Sequence, residues 1–217
     1  MNKVDLSLYG ILDPERTDGR DLAELAAASV AGGVTLLQYR DKLADAADQI
    51  RNAKAILSAT SESDVPLLIN DHPQIAIEAR AHGVHLGQSD MHPEAARQLL
   101  GDDAIIGLTV KTHEDARSLP IGKIDYACIG GVFDTASKDN PVSIGVDGWR
   151  ELADIVRSEA PGLPIGAIAG ITAENLERLI ETGADGVAII SAIYMAPDVR
   201  EAASSLSTLI AKARNAQ

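Results

Sequence analysis

The stretch LPIGAIAGITAENLERLIETGADGVAIISAI, residues 163–193, decides the fold. It holds two short apolar runs, 163–168 and 186–190, with a helical pattern over 173–182 between them. Apolar runs of this length, bounded by Gly, Pro or Asp, read as strands buried on both faces, as parallel strands between helical layers are.

The same alternation covers the rest of the chain. Further runs lie at 6–12, 34–39, 66–70, 83–86, 104–108 and 125–129, and helical patterns at 22–31, 46–59, 73–81, 93–100, 113–119, 148–159 and 199–213. Eight strand–helix pairs in 217 residues mean a parallel α/β fold, and a count of eight favours closure into a barrel over an open doubly wound sheet. The expectation is one single-domain (β/α)8 barrel of the TIM type over residues 1–217, with no linker and no low-complexity segment. The longest loop, about 130–146, follows the sixth strand and falls on the C-terminal face, where barrel enzymes place their sites.

Composition narrows the function. Aromatic residues are only 3% of a chain that is 46% hydrophobic, so aliphatic layers must supply the core. A net charge of −13 opposes a nucleic-acid or anionic-membrane partner, but an anionic substrate still binds where Lys, Arg, a metal and backbone N–H groups converge. No apolar run approaches the ~18 residues that span a membrane, and the start MNKVDLS lacks a signal-peptide core. The one cysteine, Cys128, lies inside an apolar run and reads as a buried hydrophobe, which suits a reducing cytoplasm.

Strand ends carry the chemistry. The second ends in Gln38-Tyr39-Arg40-Asp41-Lys42, where alternation sends Gln38, Arg40 and Lys42 the same way. The third ends at Asn70-Asp71 and the fourth leads through His85 and Gln88 to Asp90. Two carboxylates on neighbouring strand ends with cations beside them suit a hard divalent ion, Mg2+, that shares its shell with substrate phosphate. The other reading is that Asp71 and Asp90 cap the helices beginning near Pro73 and Pro93. At the seventh and eighth strand ends, Gly170 and Ile190-Ser191 offer small residues and backbone N–H groups, where barrels often bind phosphate.

The strings GGVTLLQYRDK (32–42), LIND (68–71), GVHLGQSD (83–90), VFDTASKD (132–139) and GADGVAIISAI (183–193) together resemble the thiamine phosphate synthase family in order and spacing. The resemblance implies a transferase of thiamine biosynthesis. It joins 4-amino-2-methyl-5-(diphosphooxymethyl)pyrimidine to a thiazole phosphate, releasing pyrophosphate through a dissociative step. Carried over by position, Gln38, Tyr39, Arg40, Asp41, Lys42, Asn70, Thr109 and Lys138 would contact the pyrimidine diphosphate, with Arg40, Lys42 and Lys138 catalytic. Asp71 and Asp90 would hold Mg2+, and Thr135, Ala136, Ser137, Gly170, Ile190 and Ser191 would hold the thiazole phosphate. Partners would be small phosphorylated molecules, with a homodimer expected by family likeness.

The chain departs from the family pattern in places. Residues 130–138 read GGVFDTASK where Gly-Pro-Ile-Phe-Pro-Thr ending in Thr-Lys is common, Ala169 stands in a usual Gly-Gly, and Thr109 replaces a common Ser. Two rival readings are a thiazole tautomerase and a non-catalytic phosphate-binding barrel. The tautomerase is expected to use a His in the sixth-strand loop, yet the aligned position holds Gly131 and no His follows His113. His85 reads as a residue packed inside the barrel and Trp149 as a packing anchor.

Overall fold

The computed structural model describes residues 4–134 and 143–216. Eight parallel strands follow one another in chain order: β1 (Leu8–Leu12), β2 (Leu36–Tyr39), β3 (Leu67–Asn70), β4 (Gly83–Leu86), β5 (Ile105–Val110), β6 (Tyr126–Ile129), β7 (Ile165–Ile168) and β8 (Gly186–Ile189). The last pairs with the first, Tyr9 opposite Ala188, so the sheet is a closed barrel and not an open one. The helices are α1 (Leu22–Ala31), α2 (Ala46–Ala59), α3 (Pro73–Ala79), α4 (Pro93–Leu100), α5 (His113–Arg117), α6 (Gly145–Glu159), α7 (Leu176–Glu181), α8 (Ser191–Tyr194) and α9 (Val199–Asn215).

Strand alternation divides the apolar residues into two cores. Tyr9, Ile11, Leu36, Leu68, Ile105 and Tyr126 belong to the barrel interior, floored by Val4 and Leu6, which precede β1. Their neighbours in sequence, such as Leu8, Leu37, Leu67 and Ile106, pack outward against the helices. Trp149 anchors that outer layer: it is fully buried on α6, and its indole N–H donates to the Gly166 carbonyl at 3.4 Å. Truncating a buried Trp of this kind costs about 3–5 kcal/mol. Inside the barrel, Gly107 lies opposite Tyr126, and a Cβ there would sit 2.1 Å from the Tyr126 ring. Only glycine lets that ring lie across the interior.

Element boundaries differ from the sequence expectation where side chains intervene. The helix expected over 173–182 begins at Leu176, because Asn175 accepts from the Thr172 N–H at 2.9 Å and donates to the Gly170 carbonyl at 2.9 Å, holding the preceding residues in a turn. The short α8, which starts at Ser191, lies outside the helical patterns read from the sequence: its residues continue an apolar run, and the chain leaves the strand only where Ile190 takes φ −108° and ψ −83°. Strand β5 reaches Val110, which places Thr109 on the strand itself.

Candidate active site at the barrel mouth

The ends of β1 to β4 bring charge together. The Arg40 N–H donates to the Leu12 carbonyl at 2.9 Å, which seats residue 40 beside the end of β1. Its guanidinium pairs there with the carboxylate of Asp13, a residue only 4% exposed. Asp13 in turn accepts from the Glu15 N–H at 3.1 Å, capping the short 3-10 turn Pro14–Arg16, so one carboxylate orders both the loop and the cation. Lys42 reaches Asp71 at 2.7 Å.

Asp71 sits on a strained backbone. It has φ +64°, and the His72 N–H donates back to the Asn70 carbonyl at 2.8 Å across it, a γ-turn of the rare left-handed kind. The turn takes the chain off the strand line at Asp71, immediately after β3. Asp90 is fixed from the other side, accepting from the Gly87 N–H at 2.7 Å, and stands within hydrogen-bonding reach of Asp71. Burial and the neighbouring Asp71 carboxyl push the Asp90 carboxyl above its ordinary range. Burial also acts to raise Asp71, but Lys42 and the Asp90 hydrogen bond outweigh it and hold that carboxyl low. Neither aspartate caps a helix: the N-cap positions of α3 and α4 are His72 and His92, and the His92 ring accepts from the Glu94 N–H at 3.3 Å.

Two residues of the second strand end turn elsewhere. The Tyr39 side chain belongs to the outer core, where its hydroxyl donates to Asp41 at 2.9 Å and accepts from Asn52 on α2 at 3.0 Å. Only its main chain borders the mouth. Asp41 spends its carboxylate on the loop, accepting from the Leu43 and Ala44 N–H groups at 3.0 and 2.9 Å. Burial works to raise that carboxyl, but these bonds together with Tyr39 hold it below the usual range. Both residues shape the β2–α2 loop that carries Lys42.

Gln38 and Thr109 occupy interior positions near the top of β2 and β5. Thr109 meets the His85 ring at 2.8 Å, and the Gln88 amide donates to the Thr109 carbonyl at 2.7 Å. Burial lowers the His85 imidazole to about 4, with the Asp71 charge opposing, so the ring is neutral at pH 7.

The β7–β8 side is built from main chain. Ala169 and Gly170 have φ of +94° and +65°. A Cβ on Gly170 would lie 2.4 Å from the Asp134 carbonyl oxygen, so glycine lets the two loops touch. The Phe133 N–H donates to the Ala169 carbonyl at 3.1 Å across that contact. Ile190 and Ser191 follow β8, half-buried, at the start of α8. Thr135, Ala136, Ser137 and Lys138 lie outside the described residues.

The donor set fits a hard divalent cation. Asp71 and Asp90 are two carboxylates in mutual contact, and like charges so close ionise together only when a cation compensates them. Among the described residues no third His, Cys, Asp or Glu joins them to complete a protein-only metal cluster. Such an ion would take its remaining ligands from water and substrate oxygens, the habit of Mg2+.

A family model described as thiamine monophosphate synthase matches residues 8–193. The chain belongs to that family. A thiamine-phosphate synthase from Agrobacterium fabrum is 45% identical over 218 residues, covering 100% of this chain and 99% of that protein. One from Azorhizobium caulinodans is 41% identical, covering 97% of each. Among solved structures, a thiamine phosphate pyrophosphorylase from Pyrococcus furiosus superposes with a TM-score of 0.83 at 31% identity, covering 97% of this chain and 98% of that one.

Sequence reading missed several residues that the structure brings to or beneath this mouth. Asp13 was open to the argument applied to Asp71, since it too follows directly on a strand end. Tyr9 and Tyr126 carried no such signal, because their meeting depends on the closed barrel.

Proposed function

We propose that this protein condenses the pyrimidine diphosphate with thiazole phosphate to give thiamine phosphate and pyrophosphate. The observation that carries the reading is the convergence of Arg40, Lys42, Asp71 and Asp90 at adjoining strand ends of a barrel that belongs to this family. The bond from the pyrimidine methylene carbon to the diphosphate oxygen breaks with its electron pair going to oxygen, and the thiazole nitrogen lone pair forms the new bond to carbon.

Arg40 and Lys42 meet the charge that grows on the leaving oxygens, where fixed donors act most strongly. Asp13 keeps the Arg40 fork oriented while that happens. Asp71 and Asp90 would hold Mg2+, which when bound supplies Lewis-acid stabilisation to the diphosphate. Asn70 and Thr109 would seat the same substrate, joined by Lys138 from outside the described residues. The main chain at Gly170 and at Ile190-Ser191 would receive the thiazole phosphate, joined by Thr135, Ala136 and Ser137 from outside the described residues. A cytoplasmic location and a homodimer complete the proposal. Supporting the location, Cys128 is a free thiol sealed inside the barrel, raised by burial to about 12, and among the described residues no helix is long and apolar enough to cross a membrane.

The test is pyrophosphate release from the two substrates with and without Mg2+, for wild type and Asp90→Ala. Metal-dependent release together with thiamine phosphate, lost in the variant, is the expected outcome. Binding of thiazole phosphate without any product would return the tautomerase or binding-barrel reading.

A further inference from the structure

A hydrogen-bonded chain crosses the barrel interior beneath the mouth. The Gln38 amide Nε2 donates to the Tyr9 hydroxyl, and Tyr9 meets the Tyr126 hydroxyl at 2.9 Å. Tyr126 meets His85 Nδ1 at 2.8 Å, and His85 Nε2 meets Thr109 Oγ1 at 2.8 Å. Tyr9, Gln38, His85 and Tyr126 are all buried, His85 the most exposed of them at 7%. The rings are held in place: His85 stacks on Tyr126 at 5.6 Å between centroids, and Tyr9 stands edge-on to Tyr126 at 5.9 Å.

A line of bonds this buried has a direction. Because Gln38 presents its N–H group, the Tyr9 oxygen accepts, and its own O–H donates to Tyr126. The Tyr126 O–H then donates to His85 Nδ1, which leaves the imidazole proton on Nε2, donated to Thr109. Every donor meets one acceptor, and Thr109 keeps its own hydroxyl proton for the mouth. Were the Gln38 amide turned about, each bond would reverse: Thr109 would donate downward into the ring, and nothing would be left to offer a substrate.

We propose that Tyr126, acting through His85, is a positioning residue that fixes Thr109 as a hydrogen-bond donor to the aminopyrimidine substrate, through a lone pair of its ring nitrogen or its diphosphate. Tyr9 sets the direction from the Gln38 end. The proposal rests on the synthase reading for its substrate, but the bond direction is a property of the protein alone.

Two measurements keep the two ideas apart. Nitrogen-15 NMR of the unliganded wild-type protein is expected to show His85 as the Nε2–H tautomer with Nδ1 accepting, and the preference is expected to vanish in Tyr126→Phe. An Nδ1–H ring in the wild type, or a tautomer unmoved in Tyr126→Phe, overturns the proposal whatever the enzyme makes. In the kinetic arm, Tyr126→Phe should raise the KM for the pyrimidine diphosphate about tenfold, the worth of one buried hydrogen bond, and leave that for thiazole phosphate in place. Equal change in both, or in neither, also overturns it. Should Tyr126→Phe fail to fold, the wild-type spectrum still decides the direction, and Thr109→Ser, which keeps the hydroxyl, should retain the activity that Thr109→Val loses. A wild type that yields no product refutes the synthase reading and leaves the tautomer result standing.

Discussion

The two sides of the mouth are built by different means. From β1 to β4 the surface consists of charged side chains already engaged with one another: Arg40 with Asp13, Lys42 with Asp71, Asp71 with Asp90. From β7 to β8 it consists of main chain, shaped by positive φ at Ala169 and Gly170 and by the exit of Ile190 from its strand. Chemistry can be deleted from the first side by changing one residue. The second can be altered only by straining or relaxing its backbone.

The largest effect should come from the charged side. Arg40→Ala is expected to lower kcat/KM for the pyrimidine diphosphate by about 10³-fold, the scale of a lost donor to developing negative charge, read as pyrophosphate release. A smaller loss from Asp13→Asn than from Arg40→Ala would keep the order of the comparison. An equal loss would make Asp13 as important as the cation it holds.

Next comes the interior beneath the charged side. The His85 value is about 4 in the folded protein against an ordinary 6.5, so between those values the unfolded chain binds the extra proton. Stability therefore rises with pH across that window, is complete above 6.5, and is lost as pH falls through 4, by about 3 kcal/mol in all. Chemical denaturation at pH 4 to 7 should show this slope, and His85→Gln should flatten it. An unchanged slope would assign the acid sensitivity to the carboxylates of the mouth.

Asp13→Asn should lower turnover about tenfold, because the guanidinium loses a charged partner and with it part of its orientation. The measurement that isolates orientation is kcat at saturating pyrimidine diphosphate. If only KM moves, Asp13 tunes binding and not alignment.

The smallest effect belongs to the other side. Ala169 holds φ +94°, a conformation natural to glycine, so Ala169→Gly should raise stability by about 1 kcal/mol and the Tm by about 2–4 °C. A lowered Tm would mean that the alanine methyl contributes more by packing than it costs in strain.

The contrast also explains what sequence could reveal. Strand order and barrel closure were legible because each strand is a short apolar run with its own Gly, Pro or Asp boundaries, and eight of them allow few arrangements. Charged strand ends were legible for the same reason: Arg40 and Asp71 each follow a run directly, and Lys42 and Asp90 come within four residues of one. The γ-turn at Asp71 was not legible, since nothing in Leu-Ile-Asn-Asp announces a positive φ on the aspartate. The choice of His72 and His92 over the aspartates as N-cap residues was hidden too, because it depends on where each loop leaves its strand. Nor was the Gln38 to Thr109 chain, whose members come from β1, β2, β4, β5 and β6 and meet only once the sheet curves through most of a circle.

Closure of that circle has a consequence in time. The pairing of β8 with β1 joins the first strand of the barrel to be synthesised to the last. Until Gly186–Ile189 leaves the ribosome, the growing sheet keeps two raw edges whose amides and carbonyls are free to pair with another chain. The finished barrel has no such edge, so the hazard belongs to the nascent protein alone and ends with the arrival of one four-residue strand.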